Sequence, residues 1–113
     1  MKQITAIIQP HMLGNVEHAL HALPHFPGYT LLRAQGHGRG RAAGHAYRPT
    51  EWDLDEHDKV ALFILCSDEF APQLVEAIRI AAHTGLAGDG IIAVCEAAEV
   101  VRIRTGERGD DAV

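Results

Sequence analysis

Three stretches of the chain combine glycine with basic residues in a way that could bind an anion. Thr84–Gly90 reads T-G-L-A-G-D-G, with three glycines in seven residues. Such a loop can turn its backbone N–H groups inward as a nest, and glycine lets a phosphate come close to the main chain. Gly36-His37-Gly38-Arg39-Gly40-Arg41 alternates glycine with basic residues. Arg102-Ile103-Arg104-Thr105-Gly106-Glu107-Arg108-Gly109 supplies guanidinium forks, which match phosphate oxygens in pairs. Any one of them has the composition of an ordinary turn, so the argument rests on all three. If the fold brings them together, they form a site for a polyphosphate.

The elements that must position these loops follow from hydrophobic period. Residues 2–9 alternate as a strand ended by Pro10. Over 11–23, Met12, Leu13, Val16, Ala19, Leu20 and Leu23 recur at helical spacing, and Pro24 and Pro27 close that helix. Gly28–Gln35 reads as a second strand. From Gly36 to about Asp58 no period persists, and four glycines and a proline interrupt it. A loop this long in a small domain tends to be functional. Val60–Cys66 is a solid apolar run, the best candidate for a central strand. Ser67 or Asp68 can cap the next helix, with Pro72 in its first turn and Leu74, Val75, Ile78, Ala81 and Ala82 as its buried face. The glycine loop and strand Ile91–Glu96 follow.

The order βαβ, long loop, βαβ predicts an α+β, ferredoxin-like (βαββαβ) sandwich, with two helices on one face of a four-stranded antiparallel sheet. Ile7 and the two-sided apolar run Val60–Cys66 leave the other face apolar as well, which predicts a homo-oligomer.

Composition narrows the class. At 113 residues and 47% hydrophobic content, the chain is read as a single domain with a real core. It has no apolar run of about 18 residues and no signal-peptide pattern, so no membrane span is expected and a cytoplasmic location is. A net charge of −5 argues against nucleic-acid binding. Cys66 and Cys95 read as buried, reduced thiols. No nucleophile–base arrangement or paired carboxylates stand out, so the chain is not read as an enzyme.

Eight histidines are many for this length. At about 100° per residue, His11, His18, His21 and His25 share a stripe opposite the apolar one, and His18 and His21 at i, i+3 spacing are weak candidates for a shared transition metal. The bland reading is a solvated polar face that uses imidazole. His45, His57, Glu51, Asp53, Asp55, Glu56 and Asp58 make the long loop either a solvated segment or a charged docking surface. His83 precedes the glycine loop and reads as structural or near a nucleotide.

Together these motifs resemble the P-II signal-transduction family. The resemblance runs nearly end to end: Met1-Lys2, Ala6-Ile7-Ile8-Gln9-Pro10, Gly28-Tyr29-Thr30, Gly36-His37-Gly38-Arg39, Thr84–Gly90 and Arg102–Gly109. It implies a homotrimer with adenine nucleotide (ATP, ADP or AMP) between subunits. Adenine would lie near Ile7, Thr30 and Leu65. Phosphates would meet Gly36, His37, Gly38 and Arg39 and the loop residues Gly85, Gly88, Asp89 and Gly90. Arg102 and Arg104 would reach in from the neighbouring subunit. The segment about 39–58 resembles the family's target-docking T-loop, and 102–113 its C-terminal loop. Partners would be a membrane transporter or a metabolic enzyme.

The chain also departs from the family pattern. Gly40 stands where members that sense 2-oxoglutarate have the glutamine that holds magnesium and the keto acid, which argues against both ligands. Ile91 replaces the usual lysine after Gly-Asp-Gly, and Trp52 stands at the modifiable tyrosine. These differences imply a divergent paralogue with no tightly bound cofactor. Another small anion such as bicarbonate would serve as second ligand near Gly40 and Arg41. The competing readings are a metal-binding relative tied to heavy-metal efflux, and a nucleotide-independent scaffold.

Overall fold

The computed structural model describes residues 1–36 and 58–113. Four strands and two helices follow in the order β1 (Lys2–Ile8), α1 (Leu13–His21), β2 (Thr30–Gln35), β3 (Asp58–Cys66), α2 (Ala71–Ala82) and β4 (Gly90–Glu96). The strands form one sheet in the order β2-β3-β1-β4, antiparallel at every neighbour. This is the ferredoxin-like α+β arrangement expected from the order of periods.

Register decides which residues meet the helices. Ile4 lies opposite Ile64 and Val94, and Ala6 opposite Leu62 and Ile92. Ile4, Ala6, Ile8, Leu62 and Ile64 are buried with Val16 and Leu20 of α1 and Leu74, Ile78 and Ala82 of α2. Each fully buried Ile or Leu side chain contributes about 1.5–3 kcal/mol, so this face carries the fold. The opposite face holds Ile7, Phe63, Leu65, Ile91, Cys95 and Leu32, by the same alternation. No helix covers it. Leu32 is 52% exposed, Leu65 40% and Ile91 66%. No helix among the described residues is long and apolar enough to cross a membrane.

Several boundaries differ from the sequence reading, for local reasons. The segment expected as one helix over 11–23 opens with a 3-10 turn, Pro10–Met12, and the α-helix proper is Leu13–His21. Beyond it, His25 has φ +57°, a left-handed conformation that no helix continues through. β2 begins at Thr30 rather than Gly28, because Gly28 has φ +95°. β3 starts two residues early, since Asp58 and Lys59 pair with Gln35 and Ala34.

The expected cap of α2 is not made. Phe70 precedes the helix without a side-chain cap, and the Ser67 carbonyl accepts the Phe70 and Ala71 amides at 3.2 Å each. Asp68 instead faces Lys2, 3.8 Å from its Nζ. Pro72 does sit in the first turn. Cys66 is buried, and burial pushes its thiol pKa up. Cys95 is exposed, against expectation, because its strand position faces the open side of the sheet.

Candidate functional site

The glycine loop lies between the end of α2 and the start of β4. Its geometry is set by one carboxylate. Asp89 Oδ2 accepts the Thr84 amide at 2.8 Å and the Gly85 amide at 3.0 Å, and Oδ1 accepts the Thr84 hydroxyl. The Thr84 Oγ1 in turn accepts the Leu86 amide at 3.1 Å. The Asp89 carboxyl is therefore held below its ordinary value, first by the Thr84 hydroxyl, then by the two amides, with His83 3.8 Å away adding to the effect. The expectation of bare loop amides is corrected at Thr84, Gly85 and Leu86, whose N–H groups are taken internally. Those of Ala87 and Gly88 have no partner among the described residues.

Two glycines are demanded by close packing. Gly90 has φ +111°, and a Cβ there would stand 1.8 Å from the Ile7 carbonyl oxygen. No side chain fits between the loop and β1. Gly88 has φ +93°, and a Cβ would stand 3.0 Å from Gln9 Nε2, which donates to the Gly88 carbonyl at 2.7 Å. Lys59 Nζ donates to Gln9 Oε1 at 3.3 Å, and its stem lies 3.4 Å from where a Cβ on Gly36 would be. Sequence reasoning passed over Gln9 and Lys59. The one signal in the sequence is that Gln9 ends the first predicted strand and Lys59 directly precedes the third.

The candidate residues fall into separate groups. Ile7 lines a cleft of about 470 Å³ with Arg79, His83, Asp89, Gly90 and Ile91. Thr30 and Leu65 line another, of about 490 Å³, with Gln3, Tyr29 and Phe63. Gly36 sits at the same end of the sheet as Gly90, since Gln35 pairs with Asp58, and Val60 and Gly90 both pair with Ile8. His37, Gly38, Arg39, Gly40 and Arg41 lie outside the described residues, as do Trp52, His45, His57 and the acids Glu51 to Glu56.

The arginine stretch is at the other end. β4 runs from Gly90, opposite Ile8, to Glu96, opposite Lys2, and only then leads to Arg102. Six residue steps of strand separate the two ends, about 20 Å. There the chain forms a tight hairpin, with Val101 bridged to Arg108, the Arg102 amide on the Glu107 carbonyl at 2.9 Å and the Gly106 amide on the Arg102 carbonyl at 2.8 Å. Arg102 Nε donates to the Ala112 carbonyl at 3.1 Å. Arg108 pairs with Glu99, whereas Arg104 has no ion pair among the described residues, and Ile103 is fully exposed. Within one chain, therefore, the arginine hairpin does not meet the glycine loop, while Gly36 lies at the glycine-loop end and the rest of its stretch is outside the described residues.

The histidine stripe is also divided. The His21 ring meets Phe26 edge-on at 5.7 Å and Tyr29 at 5.9 Å, while His18 stands in solvent. Among the described residues no group of three His, Cys, Asp or Glu side chains is placed to hold a metal ion.

The fold and the loop define a ferredoxin-like domain with a glycine turn held by Asp89 and a sheet face that no described helix covers. Comparison with known proteins gives the family. A family model described as Nitrogen regulatory protein P-II matches residues 1–107. The chain is 44% identical to the nitrogen regulatory protein P-II of Azospirillum brasilense and 44% identical to that of Rhizobium meliloti. It is 40% identical to that of Pasteurella multocida. Each match spans 113 residues, all of this chain and all of the relative. The chain belongs to the P-II family of nitrogen regulatory signalling proteins.

Proposed function

We propose that this P-II protein binds adenine nucleotide, ATP, ADP or AMP, in clefts between the subunits of a homotrimer. The observation that carries the reading is the glycine loop: Asp89 and the Ile7 carbonyl fix its shape, and the Ala87 and Gly88 amides remain for a ligand. A loop held in one shape before ligand arrives spends little of the binding free energy on ordering. Arg102 and Arg104 follow the far end of β4, a strand about 20 Å long that begins at the loop of their own chain. They serve a phosphate only across a subunit boundary, and the uncovered apolar face supplies a surface for that boundary.

Regulation then acts on a transporter or a metabolic enzyme through the segment about 39–58, in the cytoplasm. Gly40 and Ile91 remove a magnesium-linked glutamine and a lysine, so ADP and AMP compete well with ATP. The second signal is a small anion such as bicarbonate near Gly40 and Arg41, rather than 2-oxoglutarate. No observation favours the metal-efflux reading.

Calorimetric titration with ATP, ADP and AMP, each with and without magnesium, bicarbonate or 2-oxoglutarate, tests this. Micromolar binding strengthened by bicarbonate supports the reading. Absence of binding by all three nucleotides overturns it.

A further inference from the structure

The loop is also tied from outside, by a side chain that the phosphate reading does not use. Gln9 follows β1 and is half-buried. Its two amide atoms are engaged in opposite directions: Nε2 donates to the Gly88 carbonyl at 2.7 Å, and Oε1 accepts from Lys59 Nζ at 3.3 Å. The approach is tight, because a Cβ on Gly88 would come within 3.0 Å of Nε2. Lys59 in turn lies against Gly36. One side chain thus connects the glycine loop, the end of β1 and the start of β3 beside the Gly36 stretch.

We propose that Gln9 is a positioning residue for the glycine loop, fixing the Gly88–Asp89 peptide plane and linking that hold to Lys59. This rests on the nucleotide reading of that loop. The physical argument begins with peptide planarity. A trans peptide carries its C=O and N–H on opposite edges, so holding the Gly88 carbonyl toward Gln9 turns the Asp89 N–H away from it. The same hold constrains Gly88, whose missing side chain otherwise leaves its backbone several accessible conformations. Asp89 closes the loop from the inside, on Thr84 and Gly85, and Gln9 closes it from the outside, on Gly88.

Lys59 reinforces the way the Gln9 amide faces. An ammonium can only donate and a carbonyl can only accept, so both select the same orientation, Oε1 toward Lys59 and Nε2 toward Gly88. Removing the ammonium leaves the amide held from one side alone. A ligand anion that drew Lys59 away from Gln9 would loosen the Gly88 peptide by the same route. The strap is therefore a point at which charge beside Gly36 reaches the phosphate loop.

The test uses the full chain in two arms. Without ligand, backbone order at Gly88 and Asp89 is followed by 15N NMR relaxation in the wild type, Gln9→Leu, Gln9→Glu, Lys59→Met and the double variant Gln9→Leu with Lys59→Met. Both Gln9 variants lose the donor to the Gly88 carbonyl, and the order parameters of Gly88 and Asp89 are expected to fall from about 0.85 to below about 0.6, while Thr84 and Gly85 stay rigid under Asp89. Lys59→Met should give a smaller fall, and the double variant should match Gln9→Leu alone, because the two groups act in series. Unchanged order in Gln9→Leu, or additive effects in the double variant, overturns the strap. In the second arm the ADP dissociation constant of Gln9→Leu should rise about fivefold with the thermal midpoint near that of the wild type. An unchanged constant overturns the functional role. If wild-type protein binds no nucleotide, the nucleotide reading fails, and the relaxation arm still decides whether Gln9 positions the loop.

Discussion

The two ends of the sheet solve different problems. At the Gly90 end the backbone is pressed against β1, two glycines exclude side chains, and an internal carboxylate fills part of the nest. At the Glu96 end a hairpin offers Arg104, without an ion pair among the described residues, and a fully exposed isoleucine to solvent. One end has a shaped cradle, with Lys59 and Arg79 as described cations beside it, and the other has a pair of arginines on a hairpin. A polyphosphate needs both, and the chain keeps them a strand's length apart. On the function proposed above, the difference means that the single chain is half a site twice over, and that assembly completes it.

The sharpest way to break this comparison is at the cradle itself. Gly90→Ala places a methyl group against the Ile7 carbonyl at a backbone angle that suits only glycine. A loss of about 3 kcal/mol or more is expected, read as a fall in thermal midpoint of roughly 10 °C or as failure to express soluble protein. At the other end, replacing Arg102 and Arg104 with alanine should lower the thermal midpoint by only a few degrees, about the 1 kcal/mol of the Arg102–Ala112 hydrogen bond. Nucleotide affinity should fall about a hundredfold, the value of two charge-assisted contacts. If both changes acted alike on stability, the two ends would not be doing different work.

Smaller effects sharpen the picture. The Asp89 carboxyl is held low by the Thr84 hydroxyl, two amides and His83. A group depressed in the folded state stabilises above its unfolded value, near pH 4, and that contribution disappears as pH falls through the lower folded value. Wild type should therefore melt above Asp89→Ala at neutral pH, and the gap should close below about pH 4. The thiols give the mildest probe. Cys95 on the uncovered face should react with a thiol reagent in dilute, dissociated protein and more slowly where chains assemble, with Cys66 unreactive in both.

Much of the fold was legible because it rests on period. Alternation in 2–8 and the helical recurrence of Val16, Leu20, Leu74 and Ile78 are consequences of burial on one side, and the buried set follows them. The uncovered face was readable from Ile7 and from the two-sided apolar run of β3. What period does not encode was misjudged. Cys95 looks like a core residue until β4 proves to be an edge strand with one face open. Ser67 and Asp68 look like caps until Asp68 meets Lys2, 66 positions earlier in sequence. The glycine loop was found by composition, but its internal anion was not, because Asp89 reads equally well as a ligand contact and as a strut. Gln9 belongs to the Ala6–Pro10 stretch that carries the resemblance but has no role read from it, and Lys59 belongs to no motif; only the fold brings them to Gly88.

The measurement that tests the central claim most directly is complementation between defective subunits. Chains carrying Asp89→Ala and chains carrying Arg102→Ala with Arg104→Ala are co-expressed with different tags, purified through both, and titrated with ADP. Each variant alone should bind weakly. The mixed assembly contains boundaries that join an intact loop to intact arginines, and it should regain wild-type affinity at a fraction of its sites. Mixed assemblies that bind no better than either parent would contradict a cleft shared between chains.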